Sequence, residues 1–346
     1  MKSRWRSRSS RTPAPAIFRW DLDKTYLRTE LDSLRGMARI PFERAEDKIN
    51  VPGVVPLIRG LRSDAIAAGR ETRIYFVTAS PPQIGRAIKD KLTLDGIEYD
   101  GIVFKDQLRN LVRGKFRNLR EHVGFKLEEL LRGRLAVPAA ANELLFGDDW
   151  ESDPVIYSVY ADLIGGRVDA DELGKVLSLI GVETKVIARV QRLIAQIEHR
   201  DAIEKIYINL ERRTPLQHFR PFGPRLVPAF NYVQTASCLH QDGYLSLDTV
   251  AGVARELTDN ARYTPARLAN SLADVSRRGH LQLATLNAIR KRLEKDGLLP
   301  SEERHPALAA VWLRIRNWWS QRSKAESAVT APIDYQMLVA DWRASH

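Results

Sequence analysis

Ile17-Phe18-Arg19-Trp20-Asp21-Leu22-Asp23-Lys24-Thr25 is a short apolar run that ends in two carboxylates two residues apart. Its aromatic and branched residues favour a strand. A D-x-D pair placed where a strand ends and the chain turns can converge on one site. Two acids meeting there suit a nucleophile and a proton donor.

Three further segments extend this reading. Arg73-Ile74-Tyr75-Phe76-Val77 is a second strand-like run, and it ends in Thr78-Ala79-Ser80-Pro81-Pro82, which puts hydroxyls at another strand terminus. Lys126 is read as opening a helix. Asn142 to Phe146 gives a third strand, followed by Gly147-Asp148-Asp149-Trp150-Glu151-Ser152-Asp153, an acid-rich loop. In an open α/β sheet ligands bind beyond the carboxyl ends of the strands, so the expected fold is a Rossmann-like doubly wound parallel sheet with these groups gathered at one edge. Taken singly, a D-x-D is mostly a solvated turn, and Asp148, Asp149 and Asp153 read as caps of the next helix. Taken in order, they form the set that phosphoryl transfer through an aspartyl phosphate requires: a carboxylate nucleophile, acids for a hard Mg²⁺ ion, and a hydroxyl and an ammonium for the phosphoryl oxygens.

The four segments resemble the motifs of the haloacid dehalogenase superfamily: D-x-D-x-T, a strand-end Thr or Ser, a helix Lys and an acidic G-D-(x)n-D loop. Gly147-Asp148-Asp149-Trp150-Glu151-Ser152-Asp153-Pro154-Val155-Ile156-Tyr157 is similar to the G-D-x-x-x-x-D-P-x-I-Y signature of the actin-patch-type phosphatidate phosphatase catalytic domain. That family's S-x-S-P is matched by Thr78-Ala79-Ser80-Pro81 and its lysine-led helix by Lys126 to Leu131, and the similarity runs over roughly residues 15 to 255. The resemblance implies Asp21 as nucleophile and Asp23 as general acid and later base. It implies Thr78 on the phosphoryl group, and Lys126 orienting Asp21 and neutralising the phosphoaspartate. Mg²⁺ would be held by Asp21, the backbone carbonyl of Asp23 and Asp148, with Asp149 or Asp153 completing the shell. Lys24 stands where the family often has a further Asp, and Thr78 replaces Ser; neither removes a required group. The D-L-D-x-T and F-x-T-A-S strings also resemble C-terminal-domain protein phosphatases, which lack the G-D-(x)4-D-P-x-I-Y pattern. The implied substrate is phosphatidate or a similar lipid phosphate. Protein or nucleic-acid phosphate, or a non-catalytic adaptor that binds a membrane or partner, are the competing readings.

Composition is compatible with this. The 346-residue chain is 44% apolar and carries a formal charge of +11, which favours anionic partners such as acidic lipid headgroups or nucleic acid. Nucleic acid is disfavoured because no stacking aromatics interleave with the basic residues near the motifs. Much of the charge falls between Lys105 and Arg134, around Lys126. No apolar stretch approaches the roughly 18 residues of a membrane span, and the basic first eleven residues lead into no apolar segment, so no secretory signal is expected. The single cysteine, Cys238, excludes a disulfide framework and fits a reducing cytoplasm, with peripheral membrane contact allowed.

The expected organisation is a basic disordered tail (1–14), a phosphatase domain (15–257) with a helical insertion near 168–200, and a helical C-terminal region (258–346). No large cap fits between the motifs, so the site is expected to be open. Pro215 to Pro228 reads as a loop, and no internal repeat is evident. Pro306 to Arg322 reads as an amphipathic helix with Trp312, Trp318 and Trp319, suited to docking on the core or to a lipid interface.

Overall fold

A computed structural model describes residues 13–28, 46, 48–78, 82–105, 115–150, 152–261, 263–300 and 333–339. The arginine-rich N-terminal run, Ala79 to Pro81 and the tryptophan-rich segment 306–322 lie outside the described residues. The apolar runs form β1 (Ala16–Asp21), β2 (Thr72–Thr78), β3 (Gly101–Phe104), β4 (Asn142–Asp148), β5 (Ile203–Asn209) and β6 (Leu226–Ala229). They make one sheet in the order β3-β2-β1-β4-β5-β6, with every pairing parallel. This is the doubly wound order, and the direction of winding reverses between β1 and β4. Both faces are covered, which is why the central strands read as nearly continuous apolar runs.

The helices are α1 (Val54–Ala67), α2 (Gly85–Leu94), α3 (Lys115–Leu135), α4 (Asp153–Ile164), α5 (Ala170–Ile180), α6 (Thr184–Ile194), α7 (Tyr232–Gln241), α8 (Leu247–Asn260), α9 (Pro265–Arg277) and α10 (Leu283–Lys295). Strand alternation divides them between two cores. On one face Phe18, Trp20, Phe76, Phe146 and Tyr207 pack with α1, α2 and α7 to α10. On the other Leu145, Ile206 and Ile208 pack with α3 to α6 and with Tyr335 and Val339. The first core is centred on an aromatic stack, Trp20 against Phe146 at 3.9 Å between centroids and Phe146 against Tyr207 at 5.3 Å.

Local sequence sets the helix ends. Pro154 sits in the first turn of α4, where its missing N–H costs nothing. Asp169 caps α5 by accepting from the N–H groups of Asp171 and Glu172, and Ser246 and Thr264 cap α8 and α9 in the same way. The two amphipathic helices expected in 168–200 are α5 and α6; α6 lies on α3, and α5 lies on α6.

Three expectations need correction. The proline-rich passage is not only loop: it holds a 3-10 turn at Leu216–Phe222 and the edge strand β6, where Pro228 is tolerated because an edge strand has one unpaired side. Lys126 lies in the middle of α3 rather than at a helix start. The boundary drawn at 257–258 falls inside α8, and Val253, Ala254 and Leu257 belong to the same core as Trp20, as do Leu268, Leu286 and Leu293 beyond it. Helices α7, α9 and α10 end in one recurring turn. Gly243, Gly279 and Gly297 take left-handed φ of 78°, 87° and 73°. Each is followed two residues later by a buried leucine, Leu245, Leu281 and Leu299.

Candidate active site

The end of β1 is folded back on itself. The N–H groups of Tyr26 and Leu27 both donate to the carbonyl of Leu22, at 2.9 and 3.0 Å, and Lys24 takes a left-handed φ of 58°. Asp21 therefore closes the strand while Asp23 starts a tight turn, and the two carboxylates serve one site. The turn is held from the far end of the chain: the Tyr232 hydroxyl donates to the carbonyl of Thr25 at 2.5 Å, and the Asn209 amide reaches the carbonyl of Lys24 at 3.5 Å.

Asp21 and Asp23 are 1% and 5% exposed, so burying these charges requires strong compensation. Lys126, itself buried, places Nζ 2.8 Å from Oδ1 of Asp21 and 2.7 Å from Oδ1 of Asp153. Thr25 Oγ1 lies 3.4 Å from Oδ2 of Asp21. Thr78, the last residue of β2, donates its hydroxyl to Oδ2 of Asp23 at 2.8 Å. That places Thr78 beside Asp23, whose carboxylate it orients.

The acidic loop after β4 separates its aspartates by task. Asp148 Oδ1 accepts the N–H of Trp150 at 2.6 Å. Asp153, at the head of α4, turns back so that Oδ2 lies 3.4 Å from the N–H of Asp148. Asp149 points elsewhere: its two oxygens accept the N–H groups of Arg212 and Thr214, both at 2.8 Å, and so tie this loop to the one after β5. Ligand oxygens of Asp21, Asp148 and Asp153 lie within 4.8 Å of one another, and all three residues are buried. Three converging carboxylates, two of them paired with Lys126, could hold a hard, oxygen-seeking divalent cation, and this oxygen donor set is compatible with Mg²⁺. Of the two candidates for the third acid, Asp153 joins the cluster and Asp149 does not.

Gly147 makes this convergence possible. A Cβ there would stand 2.4 Å from Oδ2 of Asp153 and 2.8 Å from the Tyr157 ring, so any side chain would push a cluster acid aside. Thr25 was legible as the last letter of D-x-D-x-T. Tyr232 and Asn209 were not legible, because nothing in their local sequence refers to a turn some 200 residues away.

The basic character of the chain also shows at the site mouth, where the Lys24 ammonium lies 3.6 Å from the centroid of the Trp150 ring. Among the described residues, no helix is long and apolar enough to cross a membrane. No family model matches this chain, and no curated protein or solved structure matches it. What the geometry establishes is a buried three-aspartate cluster, bridged by a lysine, at the carboxyl edge of a doubly wound parallel sheet.

Proposed function

We propose that the chain is a Mg²⁺-dependent phosphomonoesterase that works through a phosphoaspartate on Asp21. The observation that carries this reading is the bridging of Asp21 and Asp153 by Lys126 at 2.8 and 2.7 Å, inside a three-carboxylate cluster and beside a second acid, Asp23, held by Thr78. A structural ion pair needs one acid for one base; this arrangement holds several acids about one.

Each residue has a definite task. A carboxylate oxygen of Asp21 attacks phosphorus, the ester P–O bond breaks, and Asp23 gives its proton to the departing oxygen. Water then attacks the phosphoaspartate, Asp23 takes back a proton, and inorganic phosphate leaves with the Asp21 carboxylate restored. Lys126 holds the attacking carboxylate in one orientation throughout. Asp21, Asp148 and Asp153, with the backbone carbonyl of Asp23, would hold Mg²⁺, which when bound supplies charge neutralisation at the phosphoryl oxygens.

The motif resemblance and the net charge of +11 support phosphatidate or a similar lipid phosphate as substrate, taken at the cytoplasmic face of an anionic membrane. The test is release of inorganic phosphate, with Mg²⁺ and with EDTA, from dispersed phosphatidate, p-nitrophenyl phosphate, a phosphopeptide and 3′-phosphorylated DNA, with Asp21→Asn as blank. Mg²⁺-dependent release that is greatest from phosphatidate and lost in the variant is the expected result. Preference for another substrate would keep the mechanism and overturn the lipid assignment. Equal release by the variant would overturn the mechanism.

A further inference from the structure

The turn that carries Asp23 is strained, and part of what holds it comes from the other half of the chain. Lys24, between Asp23 and Thr25, takes a left-handed φ of 58°; among the described residues the only other non-glycine residue with positive φ is Arg213. Such a conformation persists in a lysine only where its surroundings impose it. Within the turn, the Lys24 N–H donates to the carbonyl of Leu27 at 2.7 Å, and the carbonyl of Leu22 accepts from Tyr26 and Leu27. Two tyrosine hydroxyls then fasten the turn to its surroundings. That of Tyr26 donates to the Asp95 carboxylate, which also accepts from Asn50 and from Lys91, both at 2.8 Å. That of Tyr232 donates to the carbonyl of Thr25 at 2.5 Å.

Tyr232 is itself firmly placed. It is the first residue of α7 and is buried, with its ring 6.1 Å from that of Trp20 in the aromatic layer. The residues around it are pinned to α9. Asn231 Nδ2 donates to Ser271 Oγ at 2.7 Å, Gln234 Nε2 donates to the Ser271 carbonyl at 2.8 Å, and Arg278 donates to Gln234 Oε1 at 3.1 Å. Burial, with the charges of Asp148, Glu211 and Asp21, raises the Tyr232 hydroxyl well above the ordinary tyrosine value, so it stays a protonated donor. Packing asks only for the ring, which phenylalanine would supply; the hydroxyl serves the turn. Thr25, whose carbonyl it holds, places Oγ1 3.4 Å from Oδ2 of Asp21. One residue thus stands between the Tyr232 hydroxyl and the proposed nucleophile.

We infer that Tyr232 is a positioning residue: by holding the Thr25 carbonyl it keeps Asp21 and Asp23 in the arrangement from which phosphoryl transfer proceeds. This rests on the phosphomonoesterase reading and extends it to α7 and α9, neither of which supplies an acid to the cluster. Tyr232 acts through Thr25 rather than on the substrate. Its effect therefore belongs to the chemical step, where a small displacement of the attacking group costs rate, and not to substrate binding.

The test is hydrolysis of p-nitrophenyl phosphate by the Mg²⁺-loaded full chain, with Tyr232→Phe set against Tyr244→Phe. Tyr244 belongs to the same core, and its hydroxyl donates at 2.7 Å to Glu204, near the amino end of β5 and so at the opposite edge of the sheet. Each variant loses one tyrosine hydroxyl bond, so the melting temperature should fall comparably in both. Tyr232→Phe alone should lower kcat about tenfold, the size of one hydrogen bond, with KM within about twofold of wild type. It alone should also speed hydrogen exchange at the amides of Lys24, Tyr26 and Leu27, a readout independent of activity. An unchanged kcat, an equal loss in both variants, or unchanged exchange in the turn overturns the inference. If Tyr232→Phe does not fold, Ser271→Ala, which releases the Asn231 side chain from α9, takes its place. A smaller loss of kcat at constant KM with faster exchange in the turn is then expected, and the absence of either change overturns the inference. If the wild type hydrolyses no phosphomonoester, it is the phosphomonoesterase reading that fails, and exchange alone decides whether Tyr232 holds the turn.

Discussion

Strand β1 carries two buried charge clusters two residues apart, and they are opposites. Asp21 opens into the acid cluster, where three carboxylates gather and two of them share the Lys126 ammonium. Arg19 points into the α3 side of the sheet, where its Nε lies 2.5 Å from Oε2 of Glu143, and Arg134 Nη1 lies 3.0 Å from Oε1 of the same carboxylate. There the surplus charge is positive and is absorbed by fixed partners. Arg134 donates to the carbonyls of Ala141 and Ala139, the Tyr160 hydroxyl donates to Glu143, and the Tyr75 ring lies 5.5 Å from the Arg19 guanidinium. One cluster pairs its charges within the protein, with only Nη2 of Arg19 left without a hydrogen bond, and serves as an anchor. The other brings three buried carboxylates together around one lysine, a set that could hold a divalent cation.

Helix α3 joins the two, since Lys126 and Arg134 are both on it. Eight helical residues rise about 12 Å, so the anchor holds the C-terminal end of the helix while the lysine is presented about two turns before it. Lys126 thereby gains an orientation that no residue of the site itself has to supply.

The comparison can be broken most forcefully at the nucleophile. Asp21→Asn should lower phosphate release at least about a thousandfold, as expected for loss of a covalent nucleophile. Its far-ultraviolet circular dichroism should remain native, because removing a negative charge relieves the cluster. Global unfolding of this variant would show that Asp21 belongs to the anchor class instead. Next in size, Glu143→Gln should destabilise the fold by about 3–5 kcal/mol in urea titration, since it leaves two buried guanidiniums without their carboxylate. A loss below 1 kcal/mol would mean the guanidiniums find other partners.

Addition of Mg²⁺ should raise the melting temperature, by the equivalent of about 2.7 kcal/mol at a hundred times its dissociation constant, and Asp148→Asn should remove most of that gain. Asp149→Asn should retain it, because Asp149 faces the β5 loop; equal loss in both variants would contradict the division of tasks between the neighbouring aspartates.

The smallest effects concern titration. Burial would raise the Glu143 carboxyl, but Arg19 and Arg134 outweigh it and hold the group below the usual carboxylate range. A depressed carboxyl contributes stability that is complete above its unfolded value and is lost as pH falls through its folded one. The wild-type curve should therefore decline below about pH 4, with a shallower decline in Glu143→Gln. The Cys238 thiol, pushed up to about 12 by burial, should not react with a thiol reagent at pH 8 until the protein unfolds.

The acids of the site were legible because each stands at a strand end and the strands are nearly pure apolar runs. The anchor was not, since Arg19 and Glu143 interrupt those runs with charges that ordinarily mark solvent. β6 hid behind its prolines, which are compatible with a strand only at an edge, and edge position is a tertiary property. The C-terminal helices read as polar on average because their buried stripes, such as Leu268, Leu272 and Val275, are narrow and lie among charged residues. Asp149 and Asp153 were indistinguishable in sequence; only the path of the β5 loop separates them.

The continuity of the first core across the whole chain has a consequence for biosynthesis. Trp20 and Phe18 emerge from the ribosome roughly 270 residues before Leu286 and Leu293, which belong to the same apolar layer. At ordinary elongation rates the interval is on the order of tens of seconds. During that time one face of the central strands has only part of its cover, so a nascent chain halted before α7 would present the aromatic layer of β1 and β4 to solvent and to chaperones.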